Sequence, residues 1–366
     1  MSSRRDKFNQ KDTFYMSLAL NLARQRKGLT GPNPSVGCVI VKNDKIISYG
    51  QTGISGYPHA EYNAIKNCKH NLKNSSLYVT LEPCSHYGKT PPCTNQIIKS
   101  KIKKVYFSVN DIDIRSSKKA KNILNKRKII VKKFLLKNHG LKFYKNYFYS
   151  KTKQLPYVIG KIACSKDKYI YAKNKIITNE QSRKVSHLLR YENQGILISS
   201  KTLNLDNSKL TCRISGIEKY SPSRIILDKF LKTNKKSYIV NSAKNINTYF
   251  FYNKGNYQRI HYFKKKGVRL IKFELDKNNQ FNLKSILNKI NDLGIKNLLV
   301  EGGKNITLSF LKHGLFNEFY LFKSDSKLGK KGRINISNIA KKLTSIFKFK
   351  KNIHTYLDKD ELIYYY

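Results

Sequence analysis

Two short segments, PHAEYNA and EPCSHYGKTPPC, hold the residues whose types and spacing could do chemistry. His59 offers an imidazole nitrogen, and Cys84 and Cys93 offer thiolates. That donor set suits zinc, and three protein ligands leave one tetrahedral position for water, which separates a catalytic from a closed structural site. Zinc lowers the pKa of such a water toward ~7, so hydroxide is at hand near neutrality. Glu61, two residues beyond His59, can address the same water without binding the metal and can move its proton. A lone HAE or a lone cysteine pair says little, since a surface histidine and incidental thiols would give both. The joint pattern, in order and with Pro83 and Pro92 adjoining the thiols, is much rarer. It assigns His59, Cys84 and Cys93 to a metal and Glu61 to acid–base work.

The elements that must hold these groups follow from periodicity. Phe14, Leu18 and Leu22 predict a helix over 12–27, capped by Asp12 or Thr13 and ended by Gly28. VGCVIV and KIISYG read as a strand pair about Asn43 and Asp44. Pro58 opens a helix that carries the HAE segment, and SSLYVTLEPC is a strand running into a loop. TPPCTNQIIKS is a second helix that places Cys93 at its N-terminus, where the dipole favours a thiolate. KKVYFSV reads as a strand and KKAKNILNK as a helix. The alternation predicts an α/β sandwich over about 140 residues, with domain bounds of 11–150. The aromatic and basic stretch over 145–156, ending at Pro156, reads as the domain's end and a linker. A second α/β domain follows over 155–366: PYVIGKIACS, QGILISS, RIILD, SYIVN and KNLLVEGG read as strands, QSRKVSHLLRYEN and NITLSFLKHG as helices. The tail from 316 should finish its sheet. No tandem repeat is present.

The formal net charge is +51, which raises the question of nucleic acid. Yet only 13 of the 73 basic residues are Arg, the better residue for bidentate phosphate and base contacts. The Lys is spread along the chain with heavy Asn, Ile and Tyr, all A/T-rich in their codons, so drift in base composition accounts for it. No nucleic-acid partner is expected, although the field favours anionic small molecules. Of the six cysteines, Cys38, Cys68, Cys164 and Cys212 lie in apolar or helical contexts and read as small buried hydrophobes. No apolar run is long enough for a membrane helix, and the polar N-terminus lacks a secretory pattern, so a cytoplasmic enzyme is expected.

The zinc pattern resembles the cytidine-deaminase superfamily, with its H-x-E followed by P-C-x-x-C. Here eight residues rather than two separate Cys84 from Cys93. That longer insert, with NPSVGCVIV after Asn33, resembles the deaminase of riboflavin biosynthesis. The resemblance to the bifunctional riboflavin-pathway deaminase/reductase family then runs from about residue 12 to the end. It implies a cytidine-deaminase-like α/β/α sandwich followed by a dihydrofolate-reductase-like α/β domain. It also implies one zinc per deaminase domain and NADPH for the reductase, with oligomeric state left open. On this resemblance Asn33 contacts the substrate pyrimidine, and His86 and Lys89 approach its ring or ribose phosphate. The plainer alternatives are a turn asparagine and a solvated loop lysine. Thr52 stands where family members carry a histidine.

Read alone, VEGGKN can seat a phosphate on a helix N-terminus or be a plain strand-to-helix turn, and no GxGxxG is present. The resemblance implies that Asn174, Arg190, Leu210, Arg213 and Glu301 meet the substrate, the arginines suiting its phosphate. It implies that Ala163, Ile176, Thr202, Asp206, Gly302, Gly303, Lys304 and Asn305 lie along NADPH. Four departures fall on the cofactor side: Lys168 replaces a glycine, Ile176 a tryptophan, Asn207 an aspartate and Ser208 a proline.

The implied chemistry is zinc-dependent deamination of 2,5-diamino-6-ribosylamino-4(3H)-pyrimidinone 5′-phosphate, then NADPH-dependent reduction of its ribose to ribityl. Two alternatives stand beside it. One is a deaminase whose second half has lost activity, and the other is a tRNA deaminase motivated by the charge.

Overall fold

The computed structural model describes residues 8–173, 175–353 and 357–366. The chain divides into two compact units, one ending at Gln154 and the other beginning at Leu155.

The first unit contains α1 (Gln10–Arg24), β1 (Gly37–Lys42), β2 (Lys45–Gln51), α2 (Ala60–Lys66), β3 (Ser76–Leu81), α3 (Cys93–Lys99), β4 (Lys104–Val109), α4 (Ala120–Asn125), β5 (Ile130–Lys133) and α5 (Lys137–Lys153). Its sheet runs β2-β1-β3-β4-β5, with β2, β1 and β3 antiparallel in turn and β3, β4 and β5 parallel. Asn43 and Asp44 both take positive φ, the pairing a tight two-residue hairpin needs. Strand residues alternate between two cores. Tyr15, Met16, Ala19 and Leu20 of α1 bury Val39, Val41, Tyr78 and Tyr106. Ala60 and Ala64 of α2, Ile97 of α3 and Leu124 of α4 bury Cys38, Ile40, Leu77, Val79, Val105 and Phe107. The result is an α/β/α sandwich, and the loops after β3 and β4 leave from the carboxyl ends of parallel strands, where open α/β sheets build their sites.

Three details differ from the reading of the sequence. Helix α1 is capped by Asn9, which exchanges hydrogen bonds with Asp12 in a reciprocal box, so Asp12 is the third helical residue and not the cap. Residues 145–153 are the second half of α5 and not a linker. Gly140 lets this helix close on β4: a Cβ there would come within 2.4 Å of Ser108 Oγ. Cys68 follows the end of α2 and is partly exposed, whereas Cys38, Cys164 and Cys212 are buried.

The second unit contains β6 (Tyr157–Cys164), β7 (Tyr169–Tyr171), α6 (Glu180–Tyr191), β8 (Gly195–Ser199), α7 (Ser200–Asp206), β9 (Ser223–Leu227), α8 (Tyr238–Asn241), β10 (Thr248–Tyr252), α9 (Tyr257–Lys265), β11 (Arg269–Lys272), α10 (Leu283–Asp292), β12 (Asn297–Glu301), α11 (Lys304–Lys312), β13 (Glu318–Lys323), β14 (Arg333–Asn335), α12 (Ser337–Ile346), β15 (Lys350–Asn352) and β16 (Glu361–Tyr365). Its main sheet runs β11-β10-β9-β8-β12-β6-β13-β16-β15, and β14 pairs separately with β7. The run from β11 to β13 is parallel, and its inner strands β10, β9, β8 and β12 are mostly buried and apolar, as strands covered on both faces must be. Helices α10, α11 and α12 pack Ile286, Ile290, Phe310, Ile339 and Leu343 into the core on one face. On the other, Phe263 of α9 meets Phe250 with ring centroids 5.3 Å apart. The tail completes the sheet through β13, β16 and β15.

The SYIVN segment, expected as a strand, is the short helix α8. The fully buried Arg224 accounts for it: its guanidinium donates to the Ile239 carbonyl at 3.2 Å and to Ser242 Oγ at 2.8 Å, which suits a turn of helix there. Among the described residues no helix is long and apolar enough to cross a membrane.

Candidate active site

Two helix starts and one loop bring the metal donors together. His59 is the N-cap of α2, Cys93 is the first residue of α3, and Cys84 lies in the loop after β3. Both sulfurs stand close to His59 Nδ1, Cys84 at 3.5 Å and Cys93 at 3.4 Å. Tetrahedral zinc with ordinary Zn–N and Zn–S bonds needs such donors about 3.6 Å apart, so the spacing fits the ion. All three donor atoms lie within 4.8 Å of one another. The Cys93 backbone N–H donates to Cys84 Sγ at 3.3 Å. Hydrogen bonding from the Cys93 side chain, then from His59 and that N–H, pulls the Cys84 thiol well below its usual range.

Glu61 sits in the first turn of α2, only 4% exposed. Burial, reinforced by the neighbouring Cys84 charge, pushes its carboxyl up to about 7. A carboxyl at that value exchanges protons readily near neutrality, which is what a proton shuttle needs.

Asn33, Thr52, Tyr57, His59, Glu61, Cys84 and His86 line one cavity. Asn33 donates from Nδ2 to the Gly56 carbonyl at 3.2 Å, and Gly56 takes φ +93° with no room for a Cβ beside Asn33. Thr52, in the histidine's place, is buried and turned to the backbone, where its Oγ1 accepts from Val36 N–H at 2.9 Å. Lys89 is exposed outside this lining, with its ammonium 5.5 Å from the centre of the Tyr57 ring.

The sequence reading missed the far wall. Asp111, Asp113 and Arg115 come from the loop after β4, and Tyr147 and Lys151 from α5. Tyr147 donates to Asp111 at 2.9 Å, while Arg115 grips Asp113 with bonds of 2.9 and 2.6 Å. Glu82, also in the lining, accepts from the backbone N–H groups of Asp111, Lys118 and Ala120 and so fixes that loop. The DIDIR run offered a signal. The α5 residues offered none once that stretch was read as a linker.

In the second unit a separate cavity is lined by Lys161, Ala163, Thr202, Asp206, Leu210, Glu301, Gly302 and Gly303. Seven of the cavity's twelve lining residues are among those that the resemblance assigned to substrate or cofactor. Gly302 and Gly303 bridge β12 and α11, and a Cβ on Gly303 would come 3.0 Å from Thr202 Oγ1. Lys304 is partly buried and Asn305 exposed in the first turn of α11. Asp206 ends α7, and Asn207 caps that helix in the left-handed conformation. Ile176 is 67% exposed and outside the cavity lining, and Asn174 lies outside the described residues.

Arg190 is committed within the protein. It donates to both oxygens of Glu301, at 2.7 and 2.8 Å, and to the Thr211 carbonyl at 3.0 Å. Burial pushes the Glu301 carboxyl up, but Arg190 and Lys161 outweigh it and hold the group down to about 2. Arg213, two residues beyond Thr211, is exposed and lies outside the cavity lining. Lys161 was missed, although a lysine within the apolar strand PYVIGKIACS is itself a signal. Desolvation lowers its ammonium pKa.

Residues 9–109 match the cytidine and deoxycytidylate deaminase zinc-binding region, and residues 156–355 match the RibD C-terminal domain. The riboflavin biosynthesis protein RibD of Aquifex aeolicus is 37% identical over 321 residues, covering 87% of this chain and 88% of its own. The crystal structure of a diaminohydroxyphosphoribosylaminopyrimidine deaminase/5-amino-6-(5-phosphoribosylamino)uracil reductase from Thermotoga maritima superposes with a TM-score of 0.81 at 29% identity, covering 97% of this chain and 98% of its own. Acinetobacter baumannii RibD superposes with a TM-score of 0.82 at 26% identity, over the same shares of the two chains.

Proposed function

The chain belongs to the RibD family of riboflavin-biosynthesis proteins, and from that footing we propose that it acts twice on one small phosphorylated pyrimidine. The first unit deaminates 2,5-diamino-6-ribosylamino-4(3H)-pyrimidinone 5′-phosphate hydrolytically. The second reduces the ribose of the product to ribityl. The observation that carries this reading is the grouping of the His59, Cys84 and Cys93 donor atoms within 4.8 Å of one another, beside a cavity that Glu61 lines with His59 and Cys84, in a chain whose other half is a family reductase domain. The same domain match favours the two-step enzyme over a tRNA deaminase or a deaminase alone.

In the deamination cavity His59, Cys84 and Cys93 would hold zinc, whose chemistry is Lewis-acid activation of water. Glu61 takes one proton from the attacking water and gives it to the ring nitrogen, then takes the second from the hydroxyl now on the ring carbon and gives it to the amine, which leaves as ammonia while the carbonyl forms. Its burial keeps that proton from bulk solvent. Asn33 and His86 orient the pyrimidine, and Lys89 approaches the ribose phosphate.

In the second cavity NADPH would supply the hydride. Gly302, Gly303 and the start of α11, with Lys304 and Asn305, offer backbone N–H groups to its phosphates. Thr202, Asp206 and Ala163 line its path. Glu301, immobilised by Arg190, accepts from the ribose hydroxyls, Lys161 donates to the sugar oxygens, and Arg213 pairs with the substrate phosphate. Leu210 closes the cavity's apolar side. A cytoplasmic setting belongs to the same proposal.

The test is direct. Purified protein given the diaminopyrimidine phosphate should release ammonia, and Glu61→Gln should retain its zinc and release almost none. A variant that released ammonia at the native rate would contradict the assignment.

A further inference from the structure

We propose that Ser116 is a positioning residue of the deamination cavity, whose hydroxyl sets His86 in the Nε2–H form and so presents it as a hydrogen-bond donor. This rests on the reading that His86 touches the substrate. Ser116 is fully buried in the loop after β4, and its Oγ lies 2.6 Å from His86 Nδ1. The same Oγ accepts from the Ser85 backbone N–H at 3.2 Å. A hydroxyl has one proton and two lone pairs, and Ser85 takes one of the lone pairs. If His86 donated from Nδ1, the Ser116 proton would point into the protein with no acceptor among the described residues. Buried donors are rarely left unmade because of the cost. The consistent arrangement has Ser116 donating to an unprotonated Nδ1, which leaves the ring's own proton on Nε2.

The loop that carries Ser116 is itself held. Ser116 N–H donates to the Asp113 carbonyl at 2.8 Å, and Glu82 binds the backbone on both sides of it. His86 lines the cavity with Asn33 and Glu61, so an Nε2–H donor there selects an acceptor on the substrate: a carbonyl, hydroxyl or phosphate oxygen. An Nδ1–H ring would offer a lone pair instead and would select the opposite partner.

Imidazole nitrogen-15 spectra of the zinc-loaded full chain, with the His86 signals identified by loss in His86→Ala, read the proton's position directly. They should show His86 protonated at Nε2 and bare at Nδ1, and Ser116→Ala should mix the two forms. In the same variant KM for the diaminopyrimidine phosphate should rise about five- to ten-fold, the size expected for one oriented hydrogen bond. Its kcat should stay within about two-fold, because binding rather than chemistry is disturbed, and zinc content should be unchanged. A native His86 protonated at Nδ1 would overturn the proposal, as would an unchanged KM in Ser116→Ala where His86→Ala raises it. If His86→Ala leaves KM unchanged, the substrate-contact reading fails, and the spectra separate that result from a failure of the Ser116 assignment.

Discussion

Glu61 and Glu301 are both buried carboxyls, and their surroundings send them in opposite directions. Burial raises Glu61 to about 7, since the opposing pull of His59 is smaller, a value suited to giving and taking protons. Glutamine keeps the shape and the metal donors but cannot shuttle a proton. Glu61→Gln should therefore lower kcat by roughly 10²- to 10⁴-fold at full zinc occupancy, checked by ammonia release beside metal analysis. Glu301 is gripped by Arg190 and held down to about 2. Such a depressed carboxyl adds stability above its unfolded pKa near ~4.3 and loses it as pH falls toward the folded value. Glu301→Gln should destabilise the second unit by about 3 kcal/mol near neutrality, because it strands a buried guanidinium. The gap from the native protein should narrow between about pH 4.5 and pH 2 in denaturant titrations; a gap independent of pH would show that the pair contributes nothing.

At the level of elements, most of what positions the metal was legible. Pro58 and Pro92 beside His59 and Cys93 marked the two helix starts, and the short continuous apolar runs marked β1, β3 and β4. Helix α5 was not legible, because KNHGLKFYKNYFYSKTK alternates lysines with aromatics and lacks a clean aliphatic stripe. Its role emerges from tertiary packing: Tyr144 bonds Thr80 at 2.6 Å and the Ser35 carbonyl at 2.9 Å, and Tyr147 and Lys151 reach the cavity. SYIVN failed for a related reason, since five residues cannot separate a strand from a buried turn of helix. Lys168 is a different case. It holds φ +66° in the turn between β6 and β7, a conformation that a glycine adopts freely. The turn survives because Asp167 accepts from Ser165 and from the Leu328 and Gly329 backbone. Lys168→Gly should accordingly stabilise the second unit by about 0.5–1 kcal/mol, seen as a higher Tm. A loss of stability would mean that the lysine side chain makes up for its backbone strain.

Across the whole molecule, the formal charge of +51 proved less informative than the spacing of four residues, His59, Glu61, Cys84 and Cys93. That charge is dominated by lysine and spread along the chain, whereas most of the proposed site residues gather at two cavities, one in each unit. Residues that act in only one cavity should be separable by activity. Arg213→Ala should impair reduction by about ten-fold or more through weaker phosphate binding and leave ammonia release unchanged. Equal loss of both activities would break the division of labour between the units. The departures at Lys168, Ile176, Asn207 and Ser208 all fall in the second unit, so the reduction is the step to measure. The decisive measurement follows ammonia and NADPH absorbance together after the diaminopyrimidine phosphate is added to the zinc-loaded protein. The account predicts that ammonia appears first, that NADPH is then consumed mole for mole with it, and that Glu61→Gln stops both. Ammonia release with NADPH unchanged would contradict it.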